Sequence, residues 1–384
     1  MVRAVRRGDS IHEVARRFRV ARSSVRRWVR RADGQRLDRV DWSSHAPGRR
    51  EPVNKTLAEV EELVLRLRQE LKDTSALGEY GAVAIREELQ RRCIRPLVCT
   101  RTIGRILERR GALDGRRRIR RPPPPRGWYL PRLAAGRAEL DSFDIVEGLV
   151  IRGAIAVEVL NGISLHGGLP ASWPKAKITA KTVVEALVGH WRRYGLPDYA
   201  QCDNDTVFQG AHHHADAIGR VTRLCLSLGV VPVFTPPQET GFQAAIESFN
   251  GRWEAKVWSR FTHASRRALQ FRSARFVTAA RRRAAARIEN APPRRAFPDD
   301  WRLDLQAPLQ GCVVFLRRTD AKGQASVLGH LFPVNANWPH RLVRAEVNLT
   351  RERIRFYALR RRDPSYQPLL REVHYDFPKR RFHE

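Results

Sequence analysis

The sequence predicts a multidomain fold: all-α helix-turn-helix units at the N-terminus, a central α/β core on a mixed sheet, and a small β-barrel at the C-terminus. Three observations predict it. At 384 residues the chain is longer than one hydrophobic core usually serves. Apolar residues recur at helical spacing before the proline run at 122–125, and strand-like and helical runs alternate after it. From about residue 306 the texture changes again, to short β runs separated by turn residues. These breaks divide the chain into a first helix-turn-helix domain (1–40), a second helical domain of similar kind (54–112), the α/β core (128–262), a helical connector (263–305) and the barrel (306–362).

Residues 8–31 carry two helical stripes, one of Ile11, Val14, Ala15 and Phe18, the other of Val25, Trp28 and Val29. A break at 20–23 separates them, and Ser23 or Ser24 is placed to cap the second helix. The outward face of that helix, with Arg22, Ser23, Ser24, Arg26, Arg27 and Arg30, is the candidate DNA-binding surface. Residues 32–53 lose periodicity and have the composition of a linker. Leu57, Val60, Leu63, Val64, Leu67 and Leu71 then restore helical spacing, followed by helices at 80–89 and 101–107 around a turn at 99–102. The four prolines at 122–125 admit only an extended backbone and make a stiff arm.

In the core, 148–152 and 154–163 read as a β-hairpin. A helix over 179–194 follows, burying Val183, Leu187 and Trp191; then come a strand at 199–202, a helix at 216–228, a strand at 230–234 and a long helix over 241–259. The connector is arginine-rich and helical. Strands at 312–317, 324–328, 342–347 and 353–357 make up the barrel, and the tail is expected to be loose.

Lys and Arg number 72 against 40 Asp and Glu, a net charge of +32 that repels itself unless a polyanion offsets it. Nucleic acid is the expected partner. With 29% charged residues and no long apolar run, the chain is not expected to enter a membrane. Its five cysteines form no Cys-x-x-Cys pair, and its start has no signal-peptide pattern, so a cytoplasmic, nucleoid-associated protein is expected.

Three acids stand out by context. Asp144 falls on one face of a strand, with Asp141 three residues earlier as its competitor. Asp203 directly follows a short strand, at the end of a sheet where α/β sites collect. Glu247 lies beside the apolar stripe of Phe242, Ile246, Phe249, Trp253 and Val257, which fixes it on a rigid helix. Two strand-end aspartates and a helix glutamate supply hard oxygen ligands for Mg²⁺ or Mn²⁺, the ions that phosphoryl transfer uses in pairs.

The order Asp144, then Asp203-Asn204-Asp205-Thr206-Val207-Phe208, Pro236-Pro237, Gly241 and Glu247-Ser248-Phe249-Asn250-Gly251 resembles the catalytic core of DDE transposases and retroviral-type integrases. The resemblance covers 128–262, and the flanking segments are similar in layout to bacterial insertion-sequence transposases. It implies a ribonuclease H-like fold, with Asp144, Asp203 and Glu247 as catalytic triad and as ligands of two Mg²⁺ or Mn²⁺ ions, flanked by Asn204 and Asn250. It further implies cleavage of double-stranded DNA at the terminal inverted repeats of an insertion element and transfer of the freed 3′-hydroxyl to target DNA. A homodimer or higher oligomer would hold the two ends together. The competing reading is a non-catalytic DNA-binding regulator or a decayed copy. Asp205 stands where the family usually has Gly, so a left-handed turn there would strain it. Asp203 and Glu247 are 44 positions apart, wider than the usual spacing, and the excess falls in 210–220, read as a loop insertion.

Overall fold

The computed structural model describes residues 1–43, 56–113, 126–211, 214–239, 241–378 and 382. The proline run at 122–125 and the linker beyond residue 43 lie outside the described residues. The chain forms two compact units, Met1–Glu61 and Glu62–Glu384.

The first unit holds α1 (Val2–Arg6), α2 (Ile11–Arg17) and α3 (Arg22–Arg31). The Ser10 hydroxyl accepts from the Glu13 backbone N–H while the Glu13 carboxylate accepts from Ser10, a capping box that starts α2. Ser23 and Ser24 do not cap α3. The cap residue is Ala21, with no side-chain bond, and both serines sit inside the first turn. Val14, Ala15 and Val25 close one small core, and Val2, Ala32 and Val40 a second. Helix α1 escapes sequence reading because its five residues are too few to show a period.

Three further helices follow: α4 (Ala58–Thr74), whose first residues, to Glu61, fall in the first unit, α5 (Ala82–Arg91) and α6 (Thr100–Arg109). They pack around Val64, Leu67, Ile85, Leu89, Ile103, Ile106 and Leu107. Leu57, expected on the buried stripe, precedes α4 and is exposed.

After α7 (Pro131–Ala134) come β1 (Leu140–Ile151), β2 (Ile155–Ser164), β3 (Pro170–Lys175), α8 (Ala180–Tyr194), β4 (Tyr199–Cys202), α9 (Thr206–Gln209), α10 (Arg220–Ser227) and β5 (Val231–Phe234). Helix α11 (Ala244–Trp253) runs into a π-helical turn (Glu254–Trp258), so the single long helix expected over 241–259 is shorter and changes its winding. Helix α12 (Arg266–Glu289) follows, then β6 (Cys312–Arg318), β7 (Gln324–Val327), β8 (His330–Pro333), β9 (Leu342–Asn348), β10 (Arg353–Ala358) and β11 (Leu369–His374).

Nine of these strands form one mixed sheet in the order β11-β10-β9-β6-β5-β4-β1-β2-β3. β1 pairs antiparallel with β2 and parallel with β4, and β5 continues the parallel run. The C-terminal strands do not close into a barrel of their own. β6 pairs parallel with β5, Val233 opposite Val314, so β6, β9, β10 and β11 widen the core sheet while β7 and β8 form a separate two-stranded ribbon. Turn spacing identified strands but carries no information about which sheet edge they join. The expected loose tail contains β11, which covers β10.

The sheet has a core on each face. Phe143, Leu187, Trp191, Leu224 and Phe315 belong to one; Val157, Val159, Ile163, Ile246, Phe249, Trp253 and Leu269 belong to the other, between the β1–β2 hairpin and helices α11 and α12. That second core fixes α11 against the strand that carries Asp144.

Candidate active site

Strand alternation separates the two competing aspartates, since residues three apart on a strand face opposite sides. Asp141 faces the α8 core and is fully engaged there. It accepts from Trp191 Nε1 at 3.0 Å and from Arg294 Nη1 at 3.1 Å, and Arg294 Nη2 pairs with its other oxygen. The neighbouring His190, 4.0 Å away, is held neutral by burial, its pKa pushed down to about 4. Asp141 thus belongs to a buried ion pair.

Asp144 faces the α11 side. It lies opposite Asn161 on β2, and Asn250 of α11 donates from Nδ2 to its Oδ2 at 2.6 Å. Asn161 in turn donates to Asn250 Oδ1 at 2.9 Å, so two amides join β2, α11 and the Asp144 carboxylate in one chain. Burial, and then the charges of Asp203 and Glu247, push the Asp144 carboxyl up to about 6. The field of both other acids therefore reaches Asp144.

Asp203 leaves the end of β4, the parallel neighbour of β1. Its Oδ1 accepts from the Asp205 backbone N–H at 3.0 Å, and Asp205 Oδ1 accepts from Val207 N at 2.7 Å to cap α9. Asp205 has φ −58°, so no left-handed turn occurs there and the residue is an N-cap without strain. Asn204 donates to Thr235 O at 2.7 Å, tying the ends of β4 and β5 together. Glu247 is exposed on the first turn of α11, one residue after the fully buried Ile246.

The donor set fits a divalent cation. Three carboxylates gather on one side of the sheet, one of them disfavoured as an anion by burial and by its like-charged neighbours, and a cation would relieve that repulsion. Among the described residues, three ligand atoms all within 4.8 Å of one another occur at the exposed Glu352, His374 and Asp376 instead. Among the described residues Asp144, Asp203 and Glu247 do not form so tight a group.

Sequence reasoning missed Asn161 and Arg294. Neither carries a local signal, because each acts across the sheet on a residue more than a hundred positions away or through a helix 89 positions off.

In the first unit, Arg22, Ser23, Arg26, Arg27 and Arg30 are exposed along α3, and Ser24 is half-buried. Residues 1–41 match the Helix-turn-helix domain family. They are a helix-turn-helix domain. No curated protein matches the chain by sequence. Among solved structures it is similar to a chain of the simian T-cell lymphotropic virus intasome in complex with PP2A regulatory subunit B56 gamma, at 14% identity and a TM-score of 0.32 over 69% of this chain and 84% of that one. It is also similar to the catalytic core domain of BIV integrase (17% identity, TM-score 0.26, 37% and 80% covered). A third is the HTLV-2 integrase catalytic core domain in complex with magnesium (12% identity, TM-score 0.27, 37% and 83% covered). Among the described residues, no helix is long and apolar enough to cross a membrane.

Proposed function

We propose that the chain is a DDE-type transposase or integrase of a bacterial insertion element, which cleaves DNA at the element's ends and joins the freed 3′-hydroxyl to target DNA. The observation that carries this reading is the placement of Asp144 within the field of Asp203 and Glu247 on one face of the sheet, with Asn250 holding its carboxylate. Asp144, Asp203 and Glu247 would hold two Mg²⁺ or Mn²⁺ ions, which when bound activate the attacking oxygen and stabilise the leaving one. The protein's own part is positioning. The Asn161–Asn250 chain fixes the Asp144 carboxylate, Asn204 and Asp205 fix the turn that carries Asp203, and the buried face of α11 holds Glu247 on a rigid element. Helix α3 would enter the major groove of the terminal repeats through Arg22, Ser23, Ser24, Arg26, Arg27 and Arg30. A homodimer or larger assembly would bring the two ends together.

The test is Asp203→Asn. It removes a charge from the acid cluster and keeps the side chain's shape, so strand transfer in Mg²⁺ should fall at least about a thousandfold with DNA affinity nearly unchanged. Cleavage at the unaltered rate would remove Asp203 from the site. Absence of cleavage in the unaltered protein, with end-specific binding intact, would favour a DNA-binding regulator instead.

A further inference from the structure

The face of the sheet that carries the acids has a second feature. A cavity of about 350 Å³ is lined by Gln201, two residues before Asp203, by Ser248, next to Glu247, and by Ile163, two residues past Asn161. Two strand residues span about 7 Å, so the cavity adjoins the carboxylates. Arg126, Arg252 and Arg287 also line it.

Among the described residues no carboxylate forms an ion pair with any of these three guanidinium groups, and two of them bond to the protein through Nε: Arg252 donates to Ser248 O at 3.2 Å and Arg287 to Gly167 O at 3.0 Å. The carboxylate that acts on Arg287, Glu139, is buried and accepts from the backbone N–H groups of Leu140, His166 and Gly167 at 3.0, 2.9 and 2.8 Å. Its capacity goes to the fold. Burial lowers the pKa of Arg287, and the charges of Arg126 and, more weakly, Arg252 add to that lowering. The first turn of α11, at Ala244 and Ala245, adds the positive end of a helix to the same wall.

We propose that this cavity is a phosphodiester subsite for the DNA strand that runs to Asp144, Asp203 and Glu247. The proposal rests on the reading of the chain as a DNA-processing protein and names where its substrate strand is gripped. Three carboxylates repel a phosphate, and a strand approaching them needs a compensating positive site close by. Arginine forks match phosphate oxygens, and the cavity is of single-ligand size, too small for a duplex. Gly127, Gly241, Ala244 and Ala245 at its wall leave room for a sugar-phosphate backbone, and Trp128, Tyr129 and Phe242 give it an apolar side.

The probe is the dinucleotide TpT, which has one phosphodiester, against its neutral methylphosphonate analogue. Each is titrated calorimetrically into the full-length protein at fixed salt without divalent metal. TpT should bind about tenfold more tightly than the analogue, the size of a lost hydrogen-bonded charge. Arg252→Gln and the exposed Arg126→Gln should each cut that preference severalfold, with the melting temperature of Arg126→Gln unchanged. Equal binding of the two ligands by the unaltered protein, or an undiminished preference in both variants, overturns the proposal. Inorganic phosphate binding as tightly as TpT overturns it in favour of a small-anion site. No metal or turnover enters the measurement, so a protein that prefers TpT here yet cuts no DNA sinks the proposed function and leaves this subsite standing.

Discussion

Asp141 and Asp144 share a strand, and their surroundings give them opposite energetics. Asp141 is the anion of a buried pair with Arg294, further held by Trp191, so removing it leaves a guanidinium and an indole N–H without a partner. Asp141→Ala should cost about 3–5 kcal/mol in urea unfolding. Asp144→Asn should cost nothing or stabilise slightly, because it deletes a carboxylate whose ionisation burial and like charge oppose. Equal unfolding midpoints for the two variants would refute that division. A pH dependence follows with definite sign. The Asp144 pKa is raised from 3.8 to about 6 in the folded protein, so between those values the folded state binds the extra proton and stability falls as pH rises through the window. His190 acts the other way: lowered from 6.5 to about 4, it withdraws stability as pH falls through that range. At the acid cluster a proton competes with a cation, so the thermal shift produced by Mn²⁺ should shrink as pH drops below about 6 and be absent in Asp144→Asn. A shift unchanged between about pH 7 and about pH 5 would place the ion elsewhere.

Elements decide how far the sequence could be read. Strand β4 and helix α8 coincide with their apolar patterns because each is short, buried and bounded by clear caps or turns. β1 was legible as a strand around Asp144 and as a hairpin arm from Gly148 onward, but not as one continuous strand. Its first half carries Asp141, Ser142 and Asp144, and the pattern is interrupted where Gly148, at φ +71°, sits in a bulge between Val146 and Leu149. β3 was invisible since Pro170 and Pro174 argue against a strand, and they are tolerated here because β3 is an edge. The apolar stripe of α11 gave the helix and set Glu247 beside its buried face, yet not the π-helical turn after it, whose residues still obey helical spacing. The three candidate acids were singled out by motif order, whereas the link that holds Asp144, from Asn161 through Asn250, exists only across paired elements. Asn161→Ala tests that link. With its anchor gone, Asn250 no longer fixes the Asp144 carboxylate, so the cleavage rate should fall about ten- to a hundredfold while DNA affinity and fold stay nearly constant. A full rate in that variant would make the amide chain a packing feature of the hairpin.

At the scale of the whole molecule, charge and recognition are carried by different parts of the chain. The excess of +32 is spread along the sequence, so phosphate attraction does not depend on any one segment. Base reading needs a helix of defined shape, and α3 offers one, pinned through Val25 to α2 with Arg22, Arg26, Arg27 and Arg30 outward. The C-terminal strands, expected as a separate barrel, instead lengthen the core sheet, β7 and β8 apart. Deleting residues 1–40 should therefore abolish the preference for the element's terminal repeats over scrambled DNA and spare most of the nonspecific affinity. The two quantities are separated by competition binding at fixed salt, with the full-length and truncated proteins each challenged by both DNAs. The salt dependence gives an independent check, since without the arginines of α3 the slope of affinity against salt concentration should become shallower by about one unit for each phosphate they neutralise. A truncated protein that kept its whole discrimination ratio would move end recognition to α4–α6, where α6 presents Arg101, Arg105 and Arg109 on a helix of the same length as α3.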